Sequence, residues 1–240
     1  MERRLIASVL FVGTVHSDPE GFRKSLVLFE RLRPDLILVE LSPYGCRYRQ
    51  KNRRQLQKNL LRNIRKAARS CGISATRARK HPQIERIFNQ ISLPFECRAA
   101  VKFSKQRNIE VALVDSSTFS HECIAGWDEL ISTSNLEILL SLPSNRPSMM
   151  ETYQLARRTL ASSENQTAFQ TTIKAAGDME LWAQRERFMA SEIKCKVAQF
   201  LPERAVYIGG WWHITRGTTI PTLRDLLEIE PSQCRLLDGS

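Results

Sequence analysis

Two of the four histidines in this 240-residue chain occupy the same place in two similar stretches. Residues 5–16 are an apolar run that ends in a Gly-x-x-His turn at His16, and residues 205–213 end in the same turn at His213. Apolar runs rich in Val, Ile and aromatic residues are typical of buried strands. We expect Gly13 to allow a tight turn after the first strand. We interpret the two histidines as two halves of one active site.

Acidic residues stand at the ends of two further predicted strands. Glu40 lies in the apolar run 36–41, and Asp115 directly follows the run 109–114. A carboxylate in such a strand is costly unless it has a cationic or metal partner. Because parallel strands carry their carboxyl ends at one edge of a sheet, we expect both acids to face the two histidines.

This set, His16, Glu40, Asp115 and His213, is suited to two kinds of chemistry. Two imidazoles with one or two carboxylates can hold a divalent metal ion such as Zn, Mn, Fe or Co, with positions left open for water and substrate. Without a metal, an imidazole that titrates near neutral pH could activate water against a carbonyl group. The spacing of the residues does not separate these two mechanisms.

The order of the predicted elements indicates the fold class. The first strand, a helix at about 19–32 and the second strand form a βαβ unit, so we expect these strands to be parallel neighbours. We predict an α/β fold with a mostly parallel central sheet of four to five strands and flanking helices. We expect one domain, with a helical insertion at about 43–107 and a helical cap at about 121–200.

The overall composition is that of a folded protein of the cytosol. Apolar residues make up 42% of the chain and charged residues 25%, which is ordinary for a soluble domain. The six cysteines form no Cys-x-x-Cys pair, which favours free thiols in a reducing compartment. No run approaches the roughly 18 apolar residues of a membrane span, and the first apolar run lacks a signal-peptide cleavage site. We therefore expect a cytoplasmic protein without a membrane span.

Most of the positive charge lies in one segment. Residues 41–84 contain thirteen Lys or Arg and no Asp or Glu, whereas the whole chain has a net charge of +11. Clustered positive charge favours contact with phosphate, so a protein that binds nucleic acid or an acidic partner is an alternative to the enzyme. The segment matches no recognised nucleic-acid-binding module, and a run of charge is more often a solvated helix face.

Four motifs of this chain resemble, in their order, those of the TraB/PrgY/Tiki family, whose relatives include the GumN, ChaN-like and erythromycin-esterase-like proteins. They are a first Gly-x-x-His turn, a Pro-Asp followed by Val-Glu-Leu, a Glu-Arg pair in a late helix and a second Gly-x-x-His turn. The motifs fall at residues 13–17, 33–41, 186–187 and 210–213. The resemblance covers roughly residues 5–42 and 180–215, and the middle of the chain carries almost none of it.

The resemblance implies an α/β fold with its site at the strand ends. Tiki-like members are regarded as divalent-metal-dependent proteases that use the Gly-x-x-His histidines and an acidic residue, which here correspond to His16, His213 and Glu40. Erythromycin-esterase-like members hydrolyse a lactone, ChaN-like members bind haem, and TraB/PrgY members are linked to the shut-down of a peptide pheromone. Arg187, in the Glu-Arg pair, is the candidate for holding a substrate carboxylate or stabilising an oxyanion.

The chain departs from the family pattern in three respects. Trp211 and Trp212 precede the second histidine where a small residue is more usual, and the basic helical region has no counterpart. We also expect this chain to differ from many relatives in having no membrane anchor. The two tryptophans could form the wall of an apolar substrate pocket or the roof of the core.

The leading prediction is a metal-dependent hydrolase of a peptide or related amide. His16, Glu40 and His213 would hold the metal ion, with Asp115 as a further candidate ligand, and Arg187 would stabilise charge on the substrate. Haem or another cofactor beside the two tryptophans is a third alternative, which depends on the resemblance alone.

Overall fold

The structure, a computed structural model, describes residues 6–144, 147–161, 179–216 and 220–239. These residues form a sheet of five parallel strands in the order β3-β2-β4-β1-β5, which confirms the predicted α/β fold class. The strands are β1 (Val9–Thr14), β2 (Leu36–Val39), β3 (Glu110–Leu113), β4 (Ala205–Gly210) and β5 (Cys234–Leu236).

Helices account for most of the remaining described residues, and none of those in the described ranges is both long and apolar enough to cross a membrane. In chain order they are α1 (Gly21–Leu32), α2 (Pro43–Ser70), α3 (Ala75–Arg79), α4 (Pro82–Ile91), α5 (Phe95–Arg107), α6 (Ser117–Ala125), α7 (Trp127–Leu130), α8 (Thr133–Ser141), α9 (Met149–Ala161), α10 (Met179–Phe200) and α11 (Leu223–Leu226). Two short 3₁₀ helices, Trp211–Ile214 and Pro231–Gln233, precede α11 and β5.

The chain divides into two compact units. The α/β unit comprises Met1–Ser42, Phe95–Ser116 and Ser148–Ser240, and the helical unit comprises Pro43–Pro94 and Ser117–Pro147. This division differs from the expected insertion at 43–107 and cap at 121–200. Helix α5 belongs to the α/β unit because it packs against α1, and α6 to α8 complete the helical unit. Residues 162–178 of the expected cap lie outside the described ranges.

The order of the strands corrects one expectation. β1 and β2 are not neighbours, because β4 lies between them and pairs with both through Ala205, opposite Val9 on one side and Leu36 on the other. Asp35, just before β2, helps to place β4: its carboxylate accepts hydrogen bonds from the backbone N–H groups of Glu203 at 2.8 Å and Arg204 at 3.0 Å. The second Gly-x-x-His turn therefore emerges between the ends of β1 and β2.

β4 is a central strand by its side chains as well as by its pairing. All six of its residues are buried, and Tyr207 packs against Phe11 of β1 with 5.5 Å between the ring centroids. On the same side, α10 contributes Met189 and Ile193 to the core. The turns at the ends of the central strands are therefore held by a rigid, apolar base.

Candidate active site

The two Gly-x-x-His turns lie side by side at the carboxyl edge of the sheet, because β1 and β4 pair in register up to Thr14 and Gly210. At the glycine of each turn, a residue of the other turn lies against the backbone. A Cβ atom on Gly13 would lie 2.9 Å from the Trp211 Cα atom, and one on Gly210 would lie 2.8 Å from His16 Nε2. Neither position has room for a side chain.

Glu40 lies at the centre of the cluster, one residue after β2, with its side chain 6% exposed. Its Oε1 atom accepts a hydrogen bond from Arg185 at 2.6 Å and lies 2.9 Å from His213 Nε2. Its Oε2 atom accepts a hydrogen bond from the Gly210 backbone N–H at 2.5 Å and lies 3.7 Å from His16 Nε2. The Nε2 atoms of both histidines therefore face one carboxylate.

A second, buried carboxylate holds the other nitrogen of each imidazole ring. His16 Nδ1 lies 2.7 Å from Glu96 Oε1, which also accepts a hydrogen bond from the Thr14 hydroxyl at 2.6 Å. His213 Nδ1 is hydrogen-bonded to Glu186 Oε1. An acceptor at Nδ1 keeps a proton on that nitrogen and leaves Nε2 for a ligand or for proton transfer.

Sequence reasoning assigned no role to these two glutamates. Glu186 belongs to the Glu-Arg pair of the motif pattern, and Glu96, in the first turn of α5, lies outside every motif. A signal for Glu96 was nevertheless present. Glu96 stands between the apolar residues Leu93-Pro94-Phe95 and Cys97. This is the same kind of costly carboxylate that singled out Glu40.

Asp115 is paired with Arg185 in the structure. Its two oxygens accept hydrogen bonds from Arg185, with Nε to Oδ1 at 2.8 Å and an NH2 group to Oδ2 at 2.9 Å. Both oxygens of Asp115 are thus engaged by a guanidinium group, and that Asp115 ligates a metal ion stays a prediction. Asp115 orients Arg185 so that the same guanidinium also reaches Glu40.

Arg187 lies outside the cluster, which corrects its assignment as a substrate-binding group. It forms an ion pair with Glu180 at 2.7 Å, and these two side chains are 50% and 64% exposed. Arg185 and Arg187 point about 200° apart around α10, since an α-helix turns by about 100° per residue. Arg185 is buried on the side that faces the cluster, so it supplies the guanidinium that we had expected from Arg187.

The carboxylates keep both imidazole rings protonated. Burial disfavours the charge on His213, but attraction and hydrogen bonds from Glu186 and Glu40 prevail and raise the pKa of His213 to about 10. Desolvation likewise opposes the charge on His16, yet Glu96 and Glu40 raise the pKa of that ring to about 9. The His16 side chain is 54% exposed, whereas that of His213 is 6% exposed. The two rings thus share chemistry but differ in access to solvent.

The opposite shift holds for Glu40. Burial favours its neutral form, but the positive charges of His213, His16 and Arg185 outweigh burial and hold the pKa of the Glu40 carboxyl well below its usual range. The hydroxyl of Tyr207 is buried as well, but the nearby acids add to the effect of burial on its pKa. Desolvation, reinforced by the nearby acids Glu40 and Glu186, raises the pKa of its hydroxyl well above the ordinary value. Glu40 is therefore an anion and Tyr207 a neutral hydroxyl at neutral pH.

The formal charges of the cluster leave a negative excess. The cluster contains four carboxylates and one guanidinium group, those of Glu40, Glu96, Asp115, Glu186 and Arg185. Their formal charges sum to −3 when both imidazole rings are neutral and to −1 when both rings are protonated. One divalent cation would cancel the same two charges as those two protons. Cation binding and protonation of the rings are therefore alternatives in this cluster.

The donor set fits a divalent transition metal in its chemistry. Imidazole Nε2 atoms with a carboxylate, each ring held at Nδ1 by a second carboxylate, are the ligand types that Zn, Mn, Fe and Co accept. Among the described residues, Glu96 Oε2, Glu186 Oε2 and the Tyr207 hydroxyl are buried without a hydrogen-bond partner. In the arrangement seen here, however, the donors contact one another, and no three His, Cys, Asp or Glu side chains of the described ranges surround a common metal position.

The two tryptophans have different surroundings. Trp211 is buried in a small apolar cluster with Val15, Tyr153 and Leu236, whereas Trp212 stacks on Trp211 with 3.7 Å between ring centroids. Trp211 therefore roofs the core, and Trp212 is the partly exposed member of the pair.

Comparisons of the chain with protein-family models, with curated proteins and with solved structures each found no match. Membership of the TraB/PrgY/Tiki family therefore stays a prediction that depends on the four motifs.

Proposed function

We propose that this protein is a metal-dependent hydrolase of a peptide or a related amide, with its site at the carboxyl edge of the sheet. One observation carries the proposal: the Nε2 atoms of His16 and His213 face the same carboxylate, that of Glu40. Each ring is held from behind by its own buried carboxylate, as histidines that ligate a metal usually are.

In this proposal His16, Glu40 and His213 hold the ion. A divalent cation bound there would supply Lewis-acid chemistry, which polarises a carbonyl group and lowers the pKa of water. Asp115 is not included, because among the described residues it contacts Arg185 and neither of the two histidines, whereas Glu40 faces both.

The remaining residues have positioning roles. Glu96 and Glu186 hold the imidazole rings and increase their basicity. Arg185, fixed by Asp115, donates to Glu40 Oε1 and so sets the direction of that carboxylate. A mobile carboxylate would lose the geometry on which catalysis depends.

Access to the cluster is from the His16 side. The side chain of His16 is about half exposed. The side chains of His213, Glu40 and Arg185 are each less than a tenth exposed. We infer that the substrate carbonyl approaches past His16. His16 is thus the proposed ligand that lies nearest to solvent and to an incoming substrate.

The test combines metal analysis with activity. Purified protein would be assayed for Zn, Mn, Fe and Co and incubated with a peptide library, beside the variants His16→Ala, His213→Ala and, as a matched control, His121→Gln. His121 is exposed and belongs to the helical unit. We expect bound metal and peptide cleavage in the wild type and in His121→Gln, and loss of both in the two alanine variants. The proposal would be contradicted if the purified protein held no metal and its two alanine variants cleaved peptides normally.

A further inference from the structure

Helix α2 carries a straight row of positive charge. Seven cations recur along it at intervals of three or four residues, and all seven are exposed: Arg47, Lys51, Arg54, Lys58, Arg62, Arg65 and Arg69. At about 100° per residue these positions fall within about 80° of one another around the helix axis. We call this row the basic ridge.

The opposite face of α2 is fixed in the core of the helical unit. Leu56, Leu60, Ile64 and Ala67 are buried there in one apolar cluster with residues of α4, α7 and α8. The helix therefore cannot turn its cations inward. From Arg47 to Arg69 the ridge extends for about 33 Å, since each residue advances the helix by about 1.5 Å.

No acid within the described ranges forms an ion pair with a ridge cation. By the sequence, the helical unit contains 15 Lys or Arg and 5 Asp or Glu, a net charge of +10. The α/β unit contains 21 and 20, a net charge of +1. Nearly all of the excess positive charge of the chain therefore lies in the unit that carries the ridge.

Arg49 of the same helix has a structural role, and its contacts differ from those of the ridge cations. Arg49, off the ridge, stacks on Trp127 at 4.8 Å from the ring centroid and donates hydrogen bonds to the carbonyl oxygens of Gly45 and Gln90. The ridge cations instead project from the exposed face of α2. Like charges aligned at helix spacing repel one another, and a polyanion bound along the ridge would relieve that repulsion.

The chemistry of the ridge selects among polyanions. A membrane-surface helix inserts its apolar face between lipids, but the apolar face of α2 is already buried in protein. Single-stranded nucleic acids are bound by stacking on exposed aromatic rings, but the two aromatics of α2, Tyr44 and Tyr48, pack against His121 and Trp127. A duplex offers phosphates on two helical backbones that border its major groove, and one turn of B-DNA is about 34 Å long.

We propose that the basic ridge of α2 binds the phosphate backbone of double-stranded DNA without regard to base sequence. Five of the seven ridge cations are arginines, whose planar guanidinium group can donate two parallel hydrogen bonds to one phosphate. The major groove of B-DNA, unlike the deep and narrow groove of duplex RNA, admits a helix and places phosphates on both of its sides. This inference is independent of the proposed hydrolase.

The test is the salt dependence of binding to a mixed-sequence duplex of 25 base pairs, measured by fluorescence anisotropy on the full chain between 50 and 200 mM salt. The slope of log K against log salt is expected to reach about −6 if all seven cations contact phosphate, at about −0.9 per contact. The triple variant Lys58→Gln, Arg62→Gln and Arg65→Gln should be shallower by about 2.7 and at least about tenfold weaker at 100 mM salt.

A matched control changes the same charge at the same spacing elsewhere. Arg98, Lys102 and Lys105 are exposed on α5 of the α/β unit, and their replacement by Gln should leave the slope within error. Equal losses in both triple variants would show that net charge alone acts and would overturn the proposal. Absence of salt-sensitive duplex binding would do the same. So would tighter binding to single-stranded DNA, duplex RNA or vesicles of phosphatidylserine and phosphatidylcholine.

Two further measurements separate loss of binding from loss of folding and from the proposed hydrolase activity. Thermal unfolding should show that both triple variants stay folded, because the substituted side chains are exposed. The control variant also loses the contacts of Arg98 and Lys102 with the Phe22 ring, so its melting temperature should fall slightly. The His16→Ala variant should bind the duplex as the wild type does. Failure of the hydrolase proposal would leave that binding unchanged.

Discussion

His16 occupies the space that a side chain on Gly210 would need. A Cβ atom at Gly210 would lie 2.8 Å from His16 Nε2 and 3.3 Å from Glu40 Oε2. The Gly210 backbone is ordinary, with φ of −57°, so the glycine is required by the close approach of His16 and not by a strained turn. The same holds for Gly13, which lies within β1 and against Trp211. Each Gly-x-x-His motif therefore needs its glycine because of the other motif.

The Gly210→Ala variant is expected to disrupt the site while leaving the sheet intact. The added methyl group must displace His16 or Glu40, so we expect at least a tenfold loss of any activity and about 1–3 kcal/mol lower free energy of unfolding, as for other overpacked sites. Gly126→Ala is the control, because the nearest atom to its Cβ would be 3.8 Å away. Activity assays and urea denaturation check both. Full activity in Gly210→Ala would contradict the contact.

Replacing Arg185 should cost far more stability than replacing Arg187. In Arg185→Leu the buried carboxylates of Asp115 and Glu40 lose their cation, so we expect the free energy of unfolding to fall by about 3–5 kcal/mol. Arg187→Leu removes only a surface pair with Glu180 and should cost less than about 1 kcal/mol. Urea titrations measure both. Similar values for the two variants would show that Arg185 does not hold the cluster.

The metal-free protein should lose stability as the pH rises from neutral to 10. His213 and His16 have their pKa raised from 6.5 to about 10 and about 9 by their carboxylate partners. Their contribution to stability is fully present below pH 6.5, the unfolded value, and is lost as the pH rises through 9 and 10. On the acid side, the lowered pKa of Glu40 means that its contribution is present above about 4.5 and is lost as the pH falls.

Urea unfolding in the presence of a chelator at pH 6, 8 and 10 measures this dependence. Glu186→Gln removes the partner whose attraction does most to raise the pKa of His213, so the decline between pH 8 and 10 should become smaller. Glu180→Gln, at an exposed position of the same helix, should leave it unchanged. Equal stability of the wild type at pH 6 and pH 10 would refute the assigned protonation of the two rings.

Metal removal and addition should change stability through His16 and His213. After chelation, adding Zn or Mn at about 100 times the dissociation constant should raise the free energy of unfolding by about 2.7 kcal/mol, because the ion binds only the folded state. The shift should be absent in His16→Ala and His213→Ala. It should persist in Asp115→Asn, since Asp115 contacts Arg185 and is not assigned to the ion. Loss of the shift in Asp115→Asn would return Asp115 to the ligand set.

Several parts of this protein could be predicted from the sequence because they depend on local pattern. The apolar runs of the strands, the Gly-x-x-His turns and the unusual carboxylate of Glu40 are properties of a few consecutive residues. The convergence of His16, Glu40 and His213 followed from one rule, that parallel strands end at one edge of a sheet. Charge clustering in α2 was likewise visible in composition alone.

Other features were decided only by the tertiary structure, because they depend on which surfaces pack together. The insertion of β4 between β1 and β2 is a choice of strand order that no local run encodes. Arg185 rather than Arg187 faces the cluster because packing fixes the rotation of α10 about its axis. Glu96 reaches His16 across 80 residues because α5 packs against α1. Sequence pattern thus determines which groups stand at element ends, while long-range packing determines which of them touch.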